Sequence, residues 1–228
     1  MASSLGVHAS KTYTFQEGVN GYAGTVDTQF RFGSPDRNDA NLGVLSIDGS
    51  DGGGANHVLL RFENLAGTGA GQIPPGSTVL FATLTLYFVD PGNDPGLHRM
   101  LKPWAETNTW NQFDPDALDG VTPDGVEAAV DPDATLEAGN PVPVFTPVDL
   151  LPKTIQDWLD GKAPNYGWFF MPSGGGGADF VTSEGSVITQ RPLLTVVVGT
   201  LGELWLKSVS PGNGATDVPV DANLTFIV

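Results

Sequence analysis

Cysteine is missing from all 228 residues. Its absence rules out disulfides, thiol nucleophiles and zinc sites built on thiolates. Basic side chains are scarce: Lys and Arg number 10 against 26 Asp and Glu, for a formal net charge of −16. A surface this acidic repels phosphate backbones and anionic headgroups, which argues against nucleic acid and membrane surfaces as partners. The three histidines, His8, His57 and His98, are far apart and form no metal-binding spacing such as HExxH. No GxSxG elbow is present, and the run Gly174–Gly177 lacks the lysine of a phosphate-binding loop. No apolar run approaches the ~20 residues of a spanning helix, so no membrane insertion is expected. The start, Met1-Ala2-Ser3-Ser4, shows no basic stretch followed by an apolar one, hence no legible signal peptide.

What the chain does have is turn punctuation and two-residue alternation. Gly (30) and Pro (18) separate many short apolar segments. Thr12–Phe15, Gln29–Phe32, Val44–Ile47, His57–Phe62, Val79–Val89, Leu97–Leu101, Val142–Thr146, Trp168–Met171, Phe180–Thr182 and Leu193–Val198 read as strands. In the longest, Leu80, Ala82, Leu84, Leu86 and Phe88 share one face, while Val79, Phe81 and Tyr87 lie on the other. Apolar residues on both faces predict a central strand covered at least in part on both sides. One helix is expected near residues 152–160. Asp149 or a neighbour would cap it, Pro152 suits its first turn, Gly161 its stop, and Ile155, Trp158 and Leu159 form its apolar stripe. The chain is therefore all-β with one short helix. Nine acids and no base fall between Asn111 and Leu150, which reads either as a cation-attracting loop or as a solvated insertion.

The order of several segments carries a resemblance. Leu59-Leu60-Arg61-Phe62 is followed by Ile73-Pro74-Pro75-Gly76-Ser77-Thr78-Val79 and Ala82-Thr83-Leu84-Thr85-Leu86. Trp104-Ala105-Glu106 precedes Thr107-Asn108-Thr109-Trp110-Asn111. Ile155-Gln156-Asp157-Trp158, Asn165-Tyr166-Gly167, Ser183-Glu184 and Arg191-Pro192-Leu193-Leu194-Thr195-Val196 complete the series. This series resembles the DNRLRE-domain family, which is similar to the family-96 carbohydrate-binding modules. The resemblance spans residues 12–198 and implies an extracellular jelly-roll β-sandwich, secreted or at the cell surface, appended to polysaccharide-degrading or surface proteins. Some family members bind alginate-type acidic polysaccharides. With so few bases here, a neutral glycan, or an acidic one bridged by Ca²⁺, fits the charge better. Residues 1–11 read as a flexible leader and residues 199–228 as a linker plus partial Ig-like strands. The tail Val209–Val220 resembles the opening of a bacterial Ig-like repeat, a spacer in multidomain proteins.

The functional expectation is a non-catalytic polysaccharide-binding module. The alternative is a stalk, adhesin or filament subunit that meets neighbouring domains or subunits through its C-terminal strands. Trp104, Trp110, Trp168 and Tyr166 are candidates to stack on sugar rings, with core packing as the plain alternative. Arg61, like Arg191, either contacts a sugar or pairs with an acid such as Glu184 or Glu106. Calcium is the expected cofactor. It takes six to eight oxygens, often from Gly-rich loops, and two stretches offer them: Asp48, Asp51 and Asn56 in one, Asp36 and Asp39 in the other. Neither follows an EF-hand spacing, and Asp/Gly turns are the plain alternative.

Overall fold

A computed structural model describes residues 10–113, 115, 119–138, 143–199, 208–210 and 225–227. In chain order the strands are β1 (Lys11–Gln16), β2 (Thr25–Arg31), β3 (Val44–Ile47), β4 (Asn56–Phe62), β5 (Val79–Asp90), β6 (Gly96–Arg99), β7 (Ala134–Thr135), β8 (Val144–Asp149), β9 (Trp168–Met171), β10 (Ala178–Val181) and β11 (Leu193–Val198), with β12 (Ser208–Ser210) and β13 (Thr225–Ile227) in the tail. Two antiparallel sheets form the sandwich. The first runs β1-β11-β5-β10-β3, with β8 on the opposite edge of β5; the second runs β2-β4-β9-β6-β7. From β1 to β6 each successive strand lies in the other sheet, the back-and-forth winding of a jelly roll.

Alternation explains the core. Val58, Leu60 and Phe62 of β4 and Ala82, Leu84, Leu86 and Phe88 of β5 point between the sheets and are buried with Phe15, Trp168, Phe170 and Leu194. In β5 the pairing with β11 shifts register between Val197 and Val198, whose partners are Phe81 and Val79. Leu80 is the extra residue, and the bulge reverses the phase of what precedes it. Val79 is therefore buried while Leu80 is not, which one unbroken alternation does not predict. Nor is the second face of β5 covered: Phe81 and Val89 are exposed.

The helix α2 (Pro152–Leu159) has Pro in its first turn and buries Thr154, Ile155 and Trp158 against the core. Its cap residue is Leu151 with no side-chain cap bond, so no side chain caps it as the sequence led us to expect. Gly161 follows it at φ +67°.

A second core lies on the outer face of the β2-β4 sheet. Phe30, Leu59 and Phe169 are buried there beneath Met100, Trp104, Trp110, Phe113, Val121 and Ala128. The single-turn helix α1 (Trp110–Phe113) belongs to this layer. The described part of the acidic stretch joins this layer through Val121 and Ala128, and Glu127 is buried in an ion pair with Lys102 at 3.1 Å, while Asp119, Asp124, Asp131, Glu137 and Asp149 are exposed. Strands β12 and β13 pair antiparallel with each other. The leader up to residue 9 and the rest of the expected linker and Ig-like tail lie outside the described residues, as do the acids Asp114 and Asp116 and Val142 of the expected strand Val142–Thr146.

Candidate functional site

The aromatic and arginine candidates from the sequence gather in the outer layer over β4. His57, Leu59 and Arg61 share the outward phase of that strand. The Arg61 guanidinium lies 4.6 Å from the centroid of the Trp104 ring. It donates to Glu63 Oε1 from Nε (3.0 Å) and Nη2 (2.6 Å), and to the Trp104 carbonyl from Nη1 (3.2 Å). Its paired acid is thus Glu63, two residues along the chain, rather than Glu184 or Glu106. Trp104 Nε1–H donates to the Tyr166 carbonyl at 2.7 Å, which brings Arg61, Trp104 and Tyr166 together. Trp110 stands apart in the same layer, with its ring 4.9 Å from His57 and 5.5 Å from Phe32. Trp104 is 6% exposed and Trp110 4%; protein covers both rings. Arg191 binds carbonyls, those of Gly185 (2.8 Å) and Glu17 (3.2 Å).

The oxygen-rich loops are held by their own partners. Asp39, fully buried, pairs with Arg31 and with Arg37. Asp51 accepts from Asn56 Nδ2 at 2.9 Å and lies 3.8 Å from Arg31 Nη1. Asp48 accepts the Ser50 N–H at 2.7 Å, and Asp36 accepts from Asn111 Nδ2 at 2.9 Å. Arg31 therefore reaches both loops with a positive charge. Among the described residues, no group of three or more His, Asp or Glu is placed to hold a metal ion.

A cluster that composition did not mark out sits at the edge strand β2. Asp27 pairs in register with Leu60 and so points between the sheets, where it is 1% exposed. Its Oδ2 accepts the Ser183 N–H at 2.9 Å, while Oδ1 has no hydrogen-bond donor. Burial, then the Glu184 carboxylate, pushes the Asp27 carboxyl well above the usual range. Glu106 accepts the Asp27 backbone N–H, and its carboxyl is also raised, by burial and then by Glu184. Three carboxyls from separate parts of the chain thus face one another. The sequence holds a signal of this: in β2 the phase Thr25, Asp27, Gln29, Arg31 is polar throughout, whereas the inward phase Val58, Leu60, Phe62 of the neighbouring β4 is apolar. Asp27 is out of a polymer's reach and acts as a tie between β2 and the 183–184 turn.

The surface open to a large ligand is the outer face of the six-stranded sheet. Cross-strand register sets rows on it. One row runs Thr14, Thr195, Thr83 and Asp149; the next runs Gln16, Leu193, Thr85 and Pro147. Beyond them Tyr87 opposes Phe145, with ring centroids 4.6 Å apart at 61°. Phe145 is 49% exposed and Phe81 43%. These rings are exposed because β5 is central yet nothing among the described residues packs over its outer side. Hydroxyls flanked by aromatic rings can hydrogen-bond sugar hydroxyls and cover sugar C–H faces together. The fold and this face define a β-sandwich with an uncovered, aromatic-bearing sheet. No family model matches the chain, and no curated protein matches it.

Proposed function

We propose that the protein is a non-catalytic carbohydrate-binding module of a secreted or cell-surface multidomain protein, and that the polysaccharide lies on the outer face of the six-stranded sheet. The observation that supports this most is the Tyr87–Phe145 ring pair beside the threonine rows. The ligand is a neutral glycan: the rows carry Asp149 and no Lys or Arg, so nothing on them neutralises a polyuronate. Arg61, Trp104, Trp110 and Tyr166 serve this reading by holding the opposite layer together, not by touching sugar.

Affinity electrophoresis in gels containing β-glucan, xylan, mannan or alginate tests it. At least one neutral gel is expected to retard the protein, and Tyr87→Ala or Phe145→Ala to weaken retention about tenfold, ~1.4 kcal/mol. Both rings are partly exposed, so both variants should fold. Repeating the gels with EDTA tests the calcium requirement. No retardation on any glycan, with or without Ca²⁺, rejects the proposal. A second reading, association through the tail, draws on the separate β12–β13 ladder. Size-exclusion chromatography of the full chain and of a chain cut at Gly199 decides it; monomers in both reject it.

A further inference from the structure

A cleft of about 270 Å³ lies between the β1–β2 turn and the β4–β5 loop. Its polar lining is Thr14, Asn20, Tyr22, Asn64 and Gln72, with Phe15 among its apolar residues and no charged side chain. In a chain of net charge −16, a recess whose own lining is uncharged suits a neutral polar ligand, although Glu17 and Glu63 lie close behind Tyr22. The volume falls just under the ~300 Å³ at which small-molecule sites commonly begin, room for a ring or two but not for a polymer passing through.

Asn20 and Asn64 have φ of 53° and 57°, and among the described residues they alone, apart from glycines, adopt positive φ. Asparagine tolerates this region in ordinary turns. Here, however, the two such residues come from separate loops and line one cleft. Neither carboxamide makes a hydrogen bond to the protein among the described residues, so each keeps its donors and acceptor for a ligand. The surrounding groups are held in place. Tyr22 O–H donates to the Glu63 carbonyl at 3.0 Å, and the Tyr22 ring packs edge-on to Phe15 at 5.3 Å. Gln72 accepts from the Gly69 N–H at 3.0 Å and donates to the Asn64 carbonyl at 3.1 Å. A preformed recess with free planar amides loses little entropy on binding. Thr14 lines the cleft and also begins the threonine row on the open sheet face.

We infer that this cleft is a second sugar site, which takes one neutral terminal ring of a glycan through the amides of Asn20 and Asn64 while the rest of the chain lies on the sheet. The inference rests on the glycan-binding reading above. Asn20→Gly and Asn64→Gly test it, because glycine adopts the same φ without strain and only the amide is lost. The probes are glucose, galactose, mannose and xylose at millimolar concentration, followed by amide NMR shifts, together with the polysaccharide that retards the parent in gels. Expected are shifts centred on residues 14–23 and 64–72 with at least one sugar, and affinity about tenfold weaker in Asn64→Gly at an unchanged or higher melting temperature. Shifts confined to the sheet face, or polysaccharide retention untouched by both glycine variants but lost in Tyr87→Ala, overturn the cleft and leave the sheet site standing. No binding of any sugar or polysaccharide overturns both.

Discussion

His57 lies between the rings of Trp110 (4.9 Å) and Phe169 (5.0 Å), and its Nδ1 accepts the Val121 N–H at 3.0 Å. That bond requires an unprotonated Nδ1. Burial lowers the imidazole from 6.5 to about 4. Between those values the unfolded chain takes up a proton that the folded chain refuses. Stability is therefore full above pH 6.5 and falls as pH drops toward 4. A separation of about 2.5 pH units at ~1.36 kcal/mol each amounts to about 3 kcal/mol. His57→Gln keeps a carbonyl acceptor near Val121 and removes the titration. Urea denaturation followed by tryptophan fluorescence at pH 7.5 and pH 4 measures the difference. The parent should lose about 3 kcal/mol more than the variant over this range. Equal losses in the two proteins would refute the reasoning, because they would show that the imidazole titrates alike in the folded and unfolded chains.

Asp27 has the opposite sign. Its carboxyl is raised, so the folded chain keeps a proton that the unfolded chain has shed, and stability declines as pH rises above the ordinary aspartate range. Asp27→Asn should exceed the parent by about 1–3 kcal/mol at pH 8, with the gap narrowing toward pH 4; a gap that does not change with pH in the same urea assay contradicts this. Gly167 holds φ +71°, and a Cβ there would lie 2.1 Å from the Leu60 carbonyl oxygen. Gly167→Ala should cost about 2–4 kcal/mol, seen as a lower melting temperature; an unchanged melt would mean that the β4–β9 junction yields.

The strands at Trp168–Met171 and Leu193–Val198 were legible as short apolar runs bounded by turn residues, and the helix after Leu151 from its apolar stripe. The site was much less so. Trp104 and Trp110 looked available for stacking, since a polar neighbourhood in sequence says nothing about which layer folds over a ring. The opposite holds for Tyr87 and Phe145, whose exposure depends on β5 being central and uncovered. Asp27 and Ser183 meet across 156 positions, beyond the reach of any spacing rule.

Composition and alternation by themselves determined that this chain forms a β-sandwich and carries a net charge of −16, since these follow from side-chain phase and charge counts. Only the tertiary structure decided which aromatic rings face solvent, where three carboxyls gather around a buried Asp27, and that two distant asparagines open into one uncharged cleft. Alternation is a property of neighbours along the chain; burial and convergence depend on which strands pair and what covers them.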